Sequence, residues 1–517
     1  MKKQKETGTG AAFYEWNKTY WNEGGNRPKN GGAIYFENTT EEFMPLMLGK
    51  FLTAKGIQST HPLKIIALRN KVGRRFARIY DSFGMGYYEL CTHIPFLTLI
   101  RSMWSSFCFL IRMLLGRDIT RACCHGVRIG DLIYDHIIRV GNRLTIGRTI
   151  NLREIKFVLR GYLYANVCKK MYRECPPVYF VAGDIIYLQG ILVRFALKYG
   201  AQVINVTTGK ETFAIEPNMV RSAYRIYSTD YYSRIVDRQI KAGLPHGWEE
   251  KVLAFLGQTY QGIGDWNTEK AYKGKVIEEG KTVLEKIGIR NQKKNIFIMP
   301  HCFSDAPHCA KEALYRDYYV WYEETLRIIA KIDNVNWIVK EHPSSGAYGE
   351  ENVSKKLFEK YRSGHMYWFP NEYSTAVVGQ IADAVVTVRG TAGMEMSCQG
   401  IRCILAGHAW YSNKGFTFEP RTIPEYERLL ANLDHIKRLS DEETRLARRT
   451  MFGAFVFWDK VEDAYAVLSD DAYQNFRKHP SMQECIEKEY LRRLMELGGQ
   501  EAMKDSYYYI WGQRYDK

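Results

Sequence analysis

Short apolar runs along the chain alternate with longer stretches whose apolar residues recur at helical spacing. AIYFE (Ala33–Glu37), KIIALRN (Lys64–Asn70), PVYFVAG (Pro177–Gly183) and AQVINVTT (Ala201–Thr208) have strand length. EEFMPLMLGKFLTAKG, GRRFARIYDSF and DIIYLQGILVRFALKYG fall between or after them with the period of helices. The pattern restarts at KNIFIMP (Lys294–Pro300). It continues through VNWIVKEHP (Val335–Pro343), MYWFP, DAVVTVRG (Asp383–Gly390) and IRCILAG (Ile401–Gly407). The helical segments YYVWYEETLRIIAKI, STAVVGQIA and TAGMEMSCQG are interleaved with these strands. Such repeats predict parallel sheets with crossover helices. The expectation is an α/β protein of two facing Rossmann-like domains with helices at the C-terminal end. Residues 1–30 read as a loose arm, 31–250 as the first domain and 251–290 as a linker. Residues 291–425 read as the second domain and 426–517 as C-terminal helices.

One segment resists this scheme. IPFLTLIRSMWSSFCFLIRMLLG (Ile94–Gly116) is the most apolar stretch, but Arg101 and Arg112 interrupt it. They stand eleven apart, about three helical turns, and so share a face. A spanning helix needs about 20 apolar residues free of such charges. The segment predicts an amphipathic helix, either packed in a core or lying on a bilayer surface.

Charge sharpens that alternative. The 517 residues carry 73 Lys+Arg against 57 Asp+Glu, a net of +16. Residues 61–175 alone hold 20 against 7, a net of +13. A surplus so concentrated fits either a solvated basic surface or a face for anionic lipid or glycan. No zinc-finger, RNA-binding or helix-turn-helix signature accompanies it, so nucleic acid is not an expected partner. The eleven cysteines form no CxxC pair, and MKKQKETGTG is followed by no apolar signal core. The expected place is a reducing cytoplasm, with a peripheral position on the inner membrane face. The segment His301–Cys309 holds two His and two Cys, at spacings that match no common zinc template. No metal is expected.

Candidate chemistry gathers where predicted strands end. After VNWIVKEHP come Lys340, His342, Pro343 and Ser344, with hydroxyl and backbone groups suited to a phosphate. After DAVVTV come Arg389, Gly390, Thr391, Gly393 and Glu395, where a helix start meets an anion and Glu395 could hold a ribose hydroxyl. After NIFIMP, Asp305 and His308 are candidates for acid/base work. In the first half, Asp131 and Asp184 are candidates to activate an acceptor, with Asp135 beside Asp131 on one helix face. Each of these has a structural alternative, as a cap or as a partner of Arg128 or Arg139. No Walker A loop or GxGxxG fingerprint opens either half, so no resident cofactor is expected.

VKEHPSS followed by VRGTAGMEMSCQGIRCILAGHAWYSNKGFTFEP resembles bacterial capsule and surface-polysaccharide biosynthesis proteins, including the capsule Kdo-transferase family with its GT-B fold. The matching positions are His342-Pro343, Thr391 to Glu395, and the Gly407, Tyr411 and Gly415 segment. The His-Pro pair is also similar to the one with which bacterial sialyltransferases hold a cytidine monophosphate leaving group. GVRIGDLIYDHIIR (Gly126–Arg139) looks like a segment found in the same polysaccharide group.

The resemblance implies a glycosyltransferase that moves a sugar from a nucleotide-activated, CMP-linked and Kdo-like donor to a lipid-linked or growing glycan. Tyr411 joins the donor-binding set on that ground. The chain departs from the sialyltransferases in having Arg389-Gly390-Thr391 where they show Ser-Ser or Ser-Thr. A guanidinium there suits a phosphate in bidentate fashion and leaves the base open. Alternative readings are a nucleotide-sugar epimerase or polyol-phosphate transferase on the same fold, or a non-catalytic scaffold of a polysaccharide assembly.

Overall fold

The computed structural model describes residues 8–21, 32–37, 50–57 (without 52), 62–67, 78–89 (without 79) and 94–456 (without 208–209, 265 and 312), with isolated residues beyond. The helices expected over 41–56 and 73–83 lie largely outside these residues. The chain divides into two compact units. Unit 1 comprises residues 1–134, 148–226 and 458–517, and unit 2 comprises 135–147 and 227–457.

Unit 1 opens with helix α1 (Gly8–Trp21). Residues 8–21 are therefore not the loose arm expected of them. Phe13, Tyr14 and Trp21 are buried and anchor the helix, and Phe13 meets Phe83 edge-on. Strands β1 (Ala33–Glu37), β2 (Leu63–Ala67) and β3 (Gly86–Glu89) follow. Next come helix α2 (Phe96–Leu114), the two-residue strands β4 (Cys123–Cys124) and β5 (Val127–Arg128), and helices α3 (Gly130–Gly141) and α4 (Leu152–Glu174). Strand β6 (Pro177–Ala182), helix α5 (Gln189–Lys198) and strands β7 (Gln202–Thr207) and β8 (Lys210–Ile215) complete the layer. The sheet order is β3-β2-β1-β6-β7-β8. All neighbours are parallel except the hairpin β7–β8.

Unit 2 holds four helices before its first strand: α6 (Ser228–Lys241), α7 (Trp248–Tyr260), α8 (Trp266–Tyr272) and α9 (Gly280–Lys286). The segment 251–290, read as a linker region with helices, is mostly helical, and Val252, Leu256 and Val283 sit in the core of unit 2. The sheet then alternates with helices as β9 (Asn295–Ile298), α10 (Tyr318–Ile329), β10 (Asn336–Lys340), α11 (Val353–Tyr361) and β11 (Met366–Phe369). It continues as α12 (Thr375–Ile381), β12 (Ala384–Thr387), α13 (Thr391–Ser397), β13 (Arg402–Leu405) and β14 (Thr417–Phe418). Helices α14 (Ile423–Ala431) and α15 (Asp441–Met451) follow.

The order β11-β10-β9-β12-β13-β14 is parallel throughout. It is the doubly wound order, in which the chain leaves the centre in one direction after β9 and in the other after β12. Both faces of the sheet are buried, which explains the continuous apolar runs. Phe297, Ile338, Val385 and Cys403 pack on one side, and Ile298, Trp337, Val386 and Ile404 on the other. Two Rossmann-like α/β units are therefore present.

Asp131 on α3 closes unit 1 internally. Its carboxylate is 1% exposed and accepts from Arg194 Nη1 at 2.7 Å and Nη2 at 3.0 Å. Arg225 stands 3.3 Å away and Arg128 3.8 Å. Burial alone would raise the Asp131 pKa, but these three guanidinium groups together hold it below the ordinary value. Asp131→Ala leaves them buried without their anion, a loss of about 3–5 kcal/mol. Calorimetry should show the unit 1 transition falling by several degrees. The deficit should be full above the ordinary carboxylate range and should close as pH drops through the lowered pKa, where the wild-type protein loses the same interaction. An unchanged transition would contradict this role.

Candidate active site

In a doubly wound sheet, the loops leaving the carboxyl ends of the two central strands diverge and leave a crevice. In unit 2 these are the loops after β9 and β12. They carry His301 to Ala310 and Val388 to Gly390, most of the chemistry expected from the sequence. A hydrogen bond ties them together: the Arg389 amide donates to His301 Nε2 at 3.1 Å. The His301 ring stacks on Tyr318, with centroids 4.3 Å apart. Burial first, then the charges of His342 and Arg389, push its pKa well down, so the ring is neutral with its hydrogen on Nδ1.

The Arg389 side chain is 8% exposed. One nitrogen, Nη2, donates to the Lys311 carbonyl at 3.3 Å, and the guanidinium lies over the Tyr318 ring at 5.5 Å. Nε and Nη1 are buried with no hydrogen-bond partner among the described residues. Lys311 and His408 stand beside it, with Lys311 Nζ 3.4 Å from His408 Nε2. Burial, together with Lys311 and Arg389, lowers the His408 pKa. Its Nδ1 is a further buried polar atom without a partner among the described residues. Asp230, 3.4 Å from Lys311, and Glu419 are the carboxylates near His408, and both oppose the fall of its pKa. Three buried nitrogens without partners among the described residues and the two cations Arg389 and Lys311 make a place that could take an anion. His408 also lines an open pocket of about 800 Å³ beyond β13, with Asn413, Gly415, Arg421 and Thr422. Gly407 keeps the approach open, since a Cβ there would stand 2.7 Å from Val388 and 3.3 Å from Arg389.

The helix start expected to bind the anion is weaker than its sequence suggests. Helix α13 has only seven residues, so its dipole is small, and the guanidinium carries the site. Thr391 is exposed there, beside Gly390. Gly393 is packed tightly, because a Cβ would meet Cys403 Sγ and Tyr411 Oη at 2.5 Å. Tyr411 itself is fully buried and donates to the Gly390 carbonyl at 2.6 Å. It fixes the turn from within the core and presents no surface to a ligand. Glu395 is 6% exposed, and Tyr272 donates to both its oxygens at 3.3 and 3.4 Å. Burial raises its pKa to about 7, against the opposing effect of Tyr272, so it exchanges its proton near neutrality.

The segment after β10 divides in two. Lys340 is buried and donates to the Tyr373 carbonyl at 3.1 Å. Burial and then Lys275 lower its pKa to about 7. It belongs to the interior and not to a ligand surface. His342 keeps partial exposure, and burial and then Lys340 lower its pKa to about 4. Its Nδ1 accepts from the Ser344 amide at 3.2 Å and lies 3.1 Å from Cys302 Sγ, which leaves the hydrogen on Nε2. Pro343 and Ser344 hold this ring in place through the turn that follows.

The loop after β9 is pinned by a residue with no signal in the sequence. Glu350 accepts from the Phe303 amide at 2.6 Å, the Ser304 amide at 2.8 Å and Ser304 Oγ at 2.6 Å. Ala306 adopts φ 43°, a strained value for a residue with a Cβ. The loop presents two groups. His308 donates from Nδ1 to Asp135 Oδ1 at 2.6 Å, since a carboxylate only accepts, and this puts the ring's lone pair on Nε2. The His308 amide reaches Asp135 Oδ2 at 3.2 Å. Asp305 keeps exposed surface, but the protein crowded around it raises its pKa. Tyr348 and Arg139 oppose that rise and Asp135 adds to it. Arg139 stacks on Tyr348 at 4.0 Å.

Asp305, His308, His342 and Arg389 thus gather around the loops of one sheet. Asp131 and Asp184 belong to unit 1. Asp131 is saturated by arginines, so the expectation that it takes a proton from an acceptor is corrected. Asp184 follows β6 and accepts from the Ile186 amide at 3.1 Å, as a turn residue does. Asp135, four positions from Asp131, is the member of that pair that meets a histidine. Cys302 meets His342 alone, and among the described residues no group of three His, Cys, Asp or Glu is placed to hold a metal ion.

No protein-family model matches the chain, and no curated protein does. Among solved structures it is similar to two KpsC structures from Thermosulfurimonas dismutans. The beta Kdo 2,4 transferase aligns with TM-score 0.32 and 11% identity over 53% of this chain and 79% of that one. The beta Kdo 2,7 transferase aligns with TM-score 0.32 and 14% identity over 62% and 85%. A glycosyltransferase from Rickettsia africae ESF-5 aligns with TM-score 0.27 and 13% identity over 92% and 100%. Likeness at this level carries no functional argument, and the chemistry of the site has to supply one.

Arg389 supplies a direct test. In Arg389→Met a buried charge becomes an apolar chain of similar reach, so the unliganded protein should melt no lower than wild type. Wild type should gain a few degrees in inorganic phosphate or sulfate, because only the folded state holds the anion, and Arg389→Met should gain none. An equal anion response in both proteins would remove Arg389 from the site.

Proposed function

We propose that the chain is a glycosyltransferase of the GT-B kind that takes a nucleotide-activated sugar, with the donor's phosphate held in unit 2. The observation that carries this reading is the buried Arg389 guanidinium at the switch point, with two nitrogens lacking partners among the described residues and Lys311 and His408 beside it. A leaving nucleotide gains negative charge as the glycosidic bond breaks, and fixed cations placed beforehand stabilise that charge without a metal ion. His342, with its hydrogen on Nε2, is a neutral donor suited to a second phosphate oxygen. Glu395, able to give or take a proton near neutrality, suits a ribose hydroxyl.

The acceptor hydroxyl needs a base. His308, oriented by Asp135, takes its proton on Nε2, and Asp135 stabilises the imidazolium that results. Asp305 lies on the same loop, and its raised pKa suits it to share or return the proton. The resemblance in VKEHPSS and VRGTAGMEMSCQG favours a surface-polysaccharide product, a CMP-linked donor such as a Kdo-like sugar, and a lipid-linked or growing glycan acceptor. A cytoplasmic place follows from the same reading.

Calorimetric titration with cytidine, uridine and guanosine nucleotides tests the donor site, and acceptor-dependent nucleotide release tests the transfer. Arg389→Ala should weaken the preferred nucleotide by roughly tenfold to a hundredfold, the range of one lost charge-assisted contact. His308→Ala and Asp135→Asn should keep nucleotide affinity and lower kcat by about 100-fold or more. Nucleotide turnover that proceeds at full rate without an acceptor would overturn the transferase reading and favour an epimerase. A chain that binds no nucleotide would favour a scaffold.

A further inference from the structure

Helix α2 is turned opposite to the usual sense. Its buried residues are Ser102, Ser106, Phe109 and Met113, one face at spacings of four and three. The two serines satisfy themselves on the preceding turn, with Ser102 Oγ donating to the Thr98 carbonyl and Ser106 Oγ to the Ser102 carbonyl, both at 2.7 Å. Asn166 of α4 donates to Ser102 Oγ at 3.0 Å, and Phe109 meets Tyr162 of α4 edge-on. Small hydroxyl residues therefore face the protein. The large apolar residues face out: Phe96 is 74% exposed, Leu97 64%, Trp104 66%, Phe107 54% and Leu115 63%. On a helical projection they fill an arc roughly 100° wide. Scattered exposed apolar residues are ordinary, but a continuous row of this size marks an interaction surface.

The charge around the row identifies the partner. Arg101 is exposed at one edge of the arc, and Arg117 and Arg121 are exposed just past the end of the helix. Asp118, which pairs with Arg121 at 3.0 Å, is the acidic residue of that turn. The helix itself contains no Asp or Glu. On the α4 side, burial and the nearby charges of Arg173, Arg101 and Lys198 depress the Lys169 pKa, the sign of crowded positive charge. A second protein would have to meet both the apolar row and this basic margin. An anionic bilayer offers acyl chains and phosphates at the required depths. The helix is long and apolar enough in composition to cross a membrane. Its serine face, however, packs along α4, a helix of the soluble unit, which keeps it parallel to the protein surface.

We propose that α2 is a membrane-docking face that lies in the plane of an anionic lipid bilayer. Trp104, Phe107 and Leu97 enter the acyl boundary, and Arg101, Arg117 and Arg121 lie at the phosphate level. The inference stands apart from the transferase reading, since it rests on unit 1 alone.

The test uses the full chain with sucrose-loaded vesicles of phosphatidylglycerol and phosphatidylcholine, and of phosphatidylcholine alone. The protein should sediment with the anionic vesicles at low salt, be released as salt rises, and ignore the neutral ones. Arg101→Glu should weaken binding roughly tenfold. Trp104→Glu with Phe107→Glu should abolish it, with an unchanged far-UV spectrum because both residues are exposed. Cys108, exposed on the same helix, reports the face directly. In a background with Cys91, Cys123, Cys175, Cys309 and Cys485 replaced by Ser, its reaction with a polar maleimide should be fast in solution and slow on anionic vesicles. Absence of binding to anionic vesicles at low salt would overturn the proposal, as would full binding by the Glu double variant. Protection of Cys108 without vesicles would overturn it in favour of cover by residues 458–517 in a monomer, or by a second copy in a dimer, as gel filtration would tell.

Discussion

Burying a guanidinium without a carboxylate is the constraint around which unit 2 is arranged. Arg389 stands where the doubly wound sheet changes direction, and its neighbours answer its charge only in part. A carbonyl takes one nitrogen, the Tyr318 ring takes the face, and its backbone amide is given to a histidine kept neutral by burial. The three hydrogen bonds to Glu350 hold the neighbouring loop in place against the strain at Ala306. A fold selected for stability alone would have paired or replaced such a charge.

Unit 1 shows the other solution. Asp131 is as deeply buried, yet three arginines surround it. The contrast within one chain separates a charge that serves the fold from one that, on the proposed reading, receives an anion. It also explains why Asp131 and Asp135, one helical turn apart on α3, have different roles. The first closes an ion cluster, and the second orients His308.

Much of the sheet of unit 2 was legible because parallel strands buried on both faces leave unbroken apolar runs. The strands β9, β10, β12 and β13 fall within the runs that predict them, shortened by one to three residues at their ends. The edge strands β3, β8 and β14 were not legible, because β3 and β14 are short and β8, KETFAI, opens on charged residues. The polar, aromatic helices of 248–286 read as a linker because their buried residues are diluted among charged ones. His308 and Asp135 lie 173 positions apart, and no local pattern joins them. Tyr411 matched a motif, but a motif does not tell a hydroxyl aimed at a ligand from one aimed at a carbonyl. In α2 the amphipathic character was legible but not whether its apolar side meets a core or solvent, and the sign of its orientation was the pair Ser102 and Ser106, one turn apart.

The account stands or falls on where a nucleotide puts its phosphate. The most direct measurement is the structure of the chain in complex with a cytidine or uridine nucleotide. The account predicts phosphate oxygens about 3 Å from Arg389 Nε or Nη1, a hydrogen-bonding distance, with Lys311 and His408 around the same group. A phosphate bound elsewhere, or an Arg389 guanidinium ion-paired with a carboxylate of the chain, would contradict it.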